Sequence, residues 1–174
     1  GGLTRKRRVG TWVHLSDEDL LRVRICDLKV GISGSDLQPR IRQLHHELDE
    51  KGLSLRPVCY LADEWLSPAG QSAIGIPFYL AHPRLKALEF RMMFEVEGGT
   101  TSSCMRLLRH EAAHAFDHAY RLHQRPDWHR TFGNPRVAYH PHLYTADPES
   151  TQHVRNLPDN YAQSHPEEDF AETF

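Results

Sequence analysis

Cysteine is scarce in this chain, and long apolar runs are missing. The three cysteines, Cys26, Cys59 and Cys104, lie far apart, and none belongs to a CxxC pair. An odd and dispersed set of this kind predicts reduced thiols and argues against a disulfide framework. No apolar run approaches the ~20 residues that a membrane-spanning helix needs, and the amino terminus lacks the apolar core of a signal peptide. We therefore predict no membrane partner and a cytoplasmic location.

An excess of charge of either sign is also missing. The formal net charge is -2 and the isoelectric point is about 6.7, so we predict no nucleic-acid partner. The basic run Arg5-Lys6-Arg7-Arg8 is more typical of a solvated tail than of a nucleic-acid or targeting patch. With 39% apolar and 25% charged residues in 174, the composition is that of one globular domain. The unusual count is that of histidine, with 13 residues.

The pattern of apolar and turn-forming residues predicts a single α+β domain over residues 16–174, after a basic arm over residues 1–15. Ser16 begins a helix, because Asp19 follows it three residues later. The segment from Val23 to Val30 favours a strand. The next predicted elements are a helix at 36–51 capped by Ser35 and ended by Gly52, strands at 53–61 and 73–80, and a short helix that begins at His82-Pro83.

The second half of the chain is dominated by one long helix, predicted from about residue 103 to residue 123 and ended by Arg125-Pro126. The periodicity before it, at residues 90–96, is compatible with either strand or helix. Residues 126–163 are rich in Pro, His, Asn and Asp, which predicts a long irregular excursion, and such excursions are commonly functional. A last helix is predicted to begin near Ser164.

The long helix contains the motif His110-Glu111-Ala112-Ala113-His114. Histidines four residues apart project from one helix face, so that both imidazoles can bind a single Zn²⁺. Glu111 is rotated by ~100° about the helix axis and can reach a metal-activated water rather than the metal. The pattern predicts a hydrolytic zinc site in which Glu111 is the general base.

The surroundings of the motif favour this interpretation over a solvated helix face that happens to be rich in histidine. A stripe at three- and four-residue spacing lies nearly opposite the two histidines, and it contains Met105, Leu108, Ala112, Ala115, Ala119 and Leu122. Asp117 is either an ordinary surface acid or a group that orients a metal-binding imidazole from outside the ligand set. His118 lies off the line of the two histidines and is not expected to be a ligand.

The last helix is rich in glutamate. Ser164-His165-Pro166-Glu167 has the form of a capping box, with proline early in the first turn. Glu168 and Glu172 are four residues apart and share a helix face. Because a catalytic zinc site typically has three protein ligands and one open position, a carboxylate from this helix would complete a set with two histidines.

The segments HEAAHAFD and YAQSHPEEDFAETF resemble the gluzincin metallopeptidases. They are most similar to the bacterial putative zinc-binding metallopeptidase family and, more distantly, to the catalytic domain of anthrax lethal factor. The resemblance implies a zincin-like domain with a small mixed sheet, Glu168 as third zinc ligand, Glu172 in contact with a ligand histidine, and Tyr161 as oxyanion donor. It also implies that the carboxy-terminal helix continues beyond Phe174. The metzincin pattern does not fit, because Asp117 and Tyr120 replace its Gly and third His.

The predicted function is therefore zinc-dependent peptide-bond hydrolysis of a peptide or protein substrate, with Zn²⁺ as cofactor. The edge of the strand at 73–80, limited by Pro77, could pair with an extended substrate or could be a plain protected edge. The alternative function is a zinc-stabilised binding module without catalysis. The loop histidines His129, His140, His142 and His153 could form or close a metal site or could face solvent.

Overall fold

The structure is a computed structural model that describes residues 10–174. The basic run Arg5–Arg8 of the predicted amino-terminal arm lies outside these residues. Within them the chain is α+β, with helices around a small parallel sheet. The described elements are α1 (Asp17–Leu20), α2 (Ile25–Leu28), α3 (Leu37–Glu50), β1 (Val58–Ala62), β2 (Ala73–Pro77), α4 (Pro83–Met93), α5 (Thr101–Tyr120), α6 (Pro126–Phe132) and α7 (Pro166–Thr173), with short 3-10 helices at Thr11–His14, Phe78–Ala81, Leu122–Gln124 and Pro158–Gln163.

The first helices pack around the indole of Trp12. Ser16 caps α1, as predicted, because its hydroxyl accepts from the backbone N–H of Asp19. The predicted strand at 23–30 is wrong: this segment contains α2 instead. Its apolar residues do not share one covered face, since Ile25 is 53% exposed while Leu28 is buried. The Trp12 indole donates to the Leu28 carbonyl at 2.9 Å, which ties α2 to the preceding chain.

Helix α3 follows the predicted periodicity. Its four core side chains, Leu37, Ile41, Leu44 and Leu48, are all buried. Ser35 accepts from the N–H of Leu37 at the helix start. Gly52 follows the last turn with φ of +72°, a conformation that glycine adopts without the steric cost of a Cβ. Local sequence signals therefore correctly placed both ends of this helix.

The sheet is smaller than the expected mixed sheet. Strands β1 and β2 pair in parallel, with Val58 opposite Ala73 and Ala62 opposite Pro77. On the other edge of β2, Gly75 exchanges both of its backbone hydrogen bonds with Leu66, in an isolated antiparallel bridge. The edge expected to accept a substrate is therefore already occupied at Gly75. Beyond Pro77 the chain turns into a 3-10 helix instead of extending the strand to residue 80.

The main core lies between α3, β2 and α5. Leu44, Ile74, Ile76 and Leu108 are almost completely buried there. Helix α5 ends at Tyr120 rather than at residue 123, because Arg121 adopts a left-handed conformation. Ala119, the next-to-last position of the predicted apolar stripe, is exposed. The stripe therefore contacts the core only in the first four turns, where the HExxH motif also lies.

The segment 126–163, which is predicted to be irregular, contains a helix that its proline-rich composition does not indicate. Pro126 lies at the start of α6, where its missing N–H costs no hydrogen bond. Trp128 is buried and packs against Phe132 and Phe170, which join α6 to α7. Residues 133–157 are without regular helix or strand. No helix within residues 10–174 combines the length and the apolar character that crossing a membrane requires.

Candidate metal centre

Helix α5 presents the HExxH motif inside the domain. Its start is fixed by a capping box, in which Thr100 and Ser103 each accept from the other's backbone N–H. His110 and Glu111 are 4% and 7% exposed, and His114 is partly buried. The motif is therefore largely buried, whereas a surface histidine cluster would lie on a solvated helix face. The histidines thus project into a space that another element closes.

That element is α7, which packs directly against α5. Its start differs from the predicted capping box, because the N-cap is His165 and not Ser164. The Nδ1 atom of His165 accepts from the backbone N–H of Glu167, while the Ser164 hydroxyl donates to the Tyr161 carbonyl. The Glu167 side chain therefore does not close a reciprocal box. One turn of α7 then brings the buried carboxylates of Glu168 and Glu172 against α5.

Three donor atoms from the two helices converge. The Nε2 atoms of His110 and His114 are 3.1 Å apart, and Oε2 of Glu168 lies 2.9 and 3.2 Å from them. A tetrahedral zinc ion with bonds of ~2.0–2.1 Å separates its ligand atoms by about 3.3–3.4 Å. The observed triangle is therefore within about 0.5 Å of one face of such a tetrahedron. Two imidazoles and one carboxylate are also a donor set that zinc prefers, so the residues fit the ion.

Glu172 contacts His110 on the imidazole nitrogen that is not part of this triangle. Its Oε1 lies 2.5 Å from Nδ1 of His110, and its Oε2 accepts from the backbone N–H of Leu157 at 2.6 Å. A carboxylate at Nδ1 keeps a proton on that nitrogen, so Nε2 is the nitrogen that could offer a lone pair to a cation. Glu172 thus contacts His110, one of the two histidines predicted to be ligands.

The electrostatics of the triangle favour a positive charge at its centre. Burial opposes the charged form of His110, but hydrogen bonds to Glu168 and Glu172 outweigh it and raise the pKa of this imidazole. Burial alone would raise the pKa of Glu168, yet hydrogen bonds from His110 and His114 lower it well below its usual range. A buried carboxylate held in its charged form next to two imidazoles is the charge pattern that a cation site requires.

Glu111 lies next to the triangle but does not belong to it. It borders a cavity of about 390 Å³ together with His110 and Tyr161, and no hydrogen bond or ion pair joins its carboxylate to another of residues 10–174. Burial raises the pKa of Glu111, although the nearby imidazoles partly oppose this. Such a carboxylate is a better proton acceptor than an exposed one. Four further acidic residues line this cavity, Glu64, Glu95, Glu97 and Asp159, together with apolar side chains.

Tyr161 borders the same cavity. Its ring centre lies 5.9 Å from that of His110. Its hydroxyl is 2.5 Å from the hydroxyl of Tyr139. Burial raises the pKa of Tyr161, so the phenol keeps its proton at neutral pH. The predicted donor is therefore close to the predicted metal ligands.

Asp117 contacts a different imidazole from the one predicted. It is buried, and its carboxylate accepts from the backbone N–H of His123 at 2.6 Å and contacts the His123 Nδ1 at 2.9 Å. Asp117 therefore does not contact His110 or His114 as predicted. It closes the turn that follows α5. His118 stacks on His114 with ring centres 6.4 Å apart and is not in the triangle.

The loop histidines do not join the cluster. His129 contacts the His123 carbonyl, and His153 contacts the Ser150 hydroxyl. His140 and His142 are exposed. Among residues 10–174, only His110, His114 and Glu168 are grouped closely enough to share an ion.

Sequence reasoning missed two site residues, Tyr139 and His165. His165 had a signal, since a histidine directly before Pro-Glu-Glu can cap a helix as well as the serine that precedes it. Tyr139 had none, because it lies 22 residues before its partner in irregular chain. No protein-family model, curated protein or solved structure matches this chain. The gluzincin resemblance therefore rests on the two sequence motifs alone.

Proposed function

We propose that this protein is a zinc-dependent peptidase that holds its ion on His110, His114 and Glu168. The observation that supports this most is the convergence of these three donors, 2.9–3.2 Å apart, beside the buried and uncommitted carboxylate of Glu111. The choice of a peptide as substrate rests on the resemblance of both helices to gluzincins. When bound, the ion supplies Lewis acidity at a substrate carbonyl and lowers the pKa of water.

The protein's own groups have separable tasks in this proposal. Glu111 accepts a proton from the attacking water and delivers it to the leaving amine, for which its burial and raised pKa suit it. The Tyr161 hydroxyl donates a hydrogen bond to the oxygen on which negative charge develops. Glu172 holds the proton of His110 on Nδ1 and so keeps Nε2 available as a donor atom.

The alternative is a zinc-stabilised binding module without catalysis. A purely structural zinc site is normally closed by a fourth protein ligand. Within residues 10–174 the group has three members and borders a cavity of about 390 Å³. Glu111 also borders this cavity, where a general base could reach a water molecule. Both features favour the peptidase over the binding module.

The decisive experiment compares the wild type with Glu111→Gln. Zinc content is measured by elemental analysis, and hydrolysis is measured on reduced and alkylated casein, an unfolded substrate. We expect one zinc per chain in both proteins and turnover only in the wild type, because the ligands remain while the base is lost. His142→Asn, a change at an exposed loop histidine, is the matched control and should keep both properties.

Two outcomes would contradict the proposal in different ways. Stoichiometric zinc without hydrolysis by the wild type would favour the binding module. Near wild-type turnover by Glu111→Gln would show that another group is the base.

A further inference from the structure

Tyr139 lies in the irregular chain between α6 and the Pro158–Gln163 3-10 helix, yet its side chain reaches the candidate site. Its hydroxyl oxygen is 2.5 Å from that of Tyr161. The residue itself is 42% exposed, whereas Tyr161 is partly buried against His110. The pair therefore links an exposed residue to Tyr161, which borders the cavity.

One histidine anchors the chain around Tyr139 to helix α7. The Tyr139 ring packs edge-on against the ring of His165, with centres 5.1 Å apart. Because Nδ1 of His165 accepts from the N–H of Glu167, its Nε2 bears the proton and donates to the Val137 carbonyl at 3.2 Å. Tyr139 is thus held against the first turn of the helix that bears Glu168.

The proton arrangement of the hydroxyl pair decides what Tyr161 can do. Each phenol has one proton to donate. If Tyr161 donated to Tyr139, it would have no proton left for an oxygen in the cavity. If Tyr139 donates, the Tyr161 proton stays free for an oxygen in the cavity. Only the second arrangement lets Tyr161 act as the oxyanion donor of the proposed function.

We propose that Tyr139 is a positioning residue, which donates to the Tyr161 oxygen and thereby directs the Tyr161 proton into the cavity. This inference rests on the proposed peptidase function. In this inference, the role of the irregular segment 133–157 is to bring a second hydroxyl to the site. A donor oriented in advance loses less free energy on reaching the transition state than one that must be reoriented.

The test compares Tyr139→Phe, Tyr161→Phe and the double variant, each loaded with zinc, on an unstructured peptide. We expect Tyr161→Phe to lower kcat by about 10²–10³-fold. Tyr139→Phe should lower kcat by about 10-fold, with KM changed less than about twofold. The double variant should be no slower than Tyr161→Phe, since Tyr139 acts only through Tyr161. Tyr144→Phe is the matched control, because its hydroxyl anchors the same segment to the Asp159 carbonyl, and it should keep kcat.

A second readout does not need activity. Urea midpoints of the same zinc-loaded proteins form a double-mutant cycle, and the two phenylalanine substitutions should be non-additive. Additive midpoints, additive losses of kcat, or an unchanged kcat in Tyr139→Phe would each overturn the inference. Lack of hydrolysis by the wild type would instead refute the proposed function, while the midpoints would still decide whether the hydroxyls interact.

Discussion

At the scale of single residues, two glutamates one turn apart make different contacts. Glu168 points one carboxylate oxygen at both histidine Nε2 atoms. Glu172 contacts the opposite nitrogen of His110 and the N–H of Leu157. Both lie on the same face of α7, but the four-residue spacing between them corresponds to a rise of ~6 Å along the helix, so only one can reach the point where the imidazoles converge.

We predict that the two glutamates differ in their effect on metal affinity. Glu168→Ala should lose zinc under mild chelation, because it removes one of three ligands. Glu172→Ala should weaken zinc binding by only about 10–100-fold, the usual effect of losing a support to a ligand imidazole. Competition with a chromophoric chelator measures both affinities. Glu167→Ala, next to Glu168 but outside the triangle, is the control, and equal losses from Glu168→Ala and Glu172→Ala would contradict the assignment.

At the scale of elements, the end of α5 depends on one buried carboxylate. Arg121 adopts φ of +51° after the last turn. The Asp117 carboxylate accepts a hydrogen bond from the backbone N–H of His123, which lies in the following 3-10 helix. It also contacts the His123 imidazole. Because this turn redirects the chain into α6, Asp117 connects α5 to the segment that packs on α7.

We expect Asp117→Ala to destabilise the protein by about 2–3 kcal/mol, the range for removing hydrogen bonds to a buried charged group. Urea unfolding of the zinc-loaded protein measures the change. Asp117→Asn should cost less, since an amide oxygen can still accept from the His123 backbone. Zinc stoichiometry should be retained in both variants, because Asp117 contacts His123 and neither candidate ligand histidine. Loss of zinc at unchanged stability would show that Asp117 supports the metal site after all.

At the scale of the whole molecule, the core consists of two hydrophobic clusters that must keep a fixed position relative to each other. The larger contains α3, β2 and α5, and the smaller joins Trp12, Leu20 and Leu28 to Leu85 and Leu88 of α4. A polar junction connects α1 to α4 above the smaller cluster. In it Asp17 accepts from Arg91 at 2.5 and 2.7 Å and from Arg84 at 2.7 Å.

This junction predicts a dependence of stability on pH. Hydrogen bonds from Arg91, and then from Arg84, lower the pKa of Asp17 from 3.8 to about 2. A carboxyl whose pKa falls on folding stabilises the folded state above its unfolded pKa, and this contribution is lost as the pH falls toward the folded pKa. The Tm difference between wild type and Asp17→Asn should therefore be present at pH 7, shrink below about pH 4 and vanish near pH 2. Asp27→Asn, which breaks an ion pair within α2 alone, is the control, and a difference that grows on acidification would contradict the prediction.

The parts predicted correctly from sequence depend on contacts within a few residues. The apolar spacing of α3, its end at Gly52 and the N-cap at Ser16 are all local signals. The shared face of His110 and His114 belongs with them, because a spacing of four places the two histidines on one side of α5 wherever the helix lies. Helix α6 was missed because its proline and polar residues are typical of loops, and its helix depends on burial of Trp128 against α7.

The sequence by itself thus determined which side chains can chelate: two histidines on one helix and a pair of glutamates on another. Only the tertiary structure decided that Glu168 meets both imidazoles, that Asp117 contacts His123, and that Tyr139 reaches Tyr161. The physical reason is range. Helix periodicity is fixed by hydrogen bonds four residues apart, whereas these contacts join groups 6 to 58 positions apart and depend on how turns, irregular chain and helices are placed against one another.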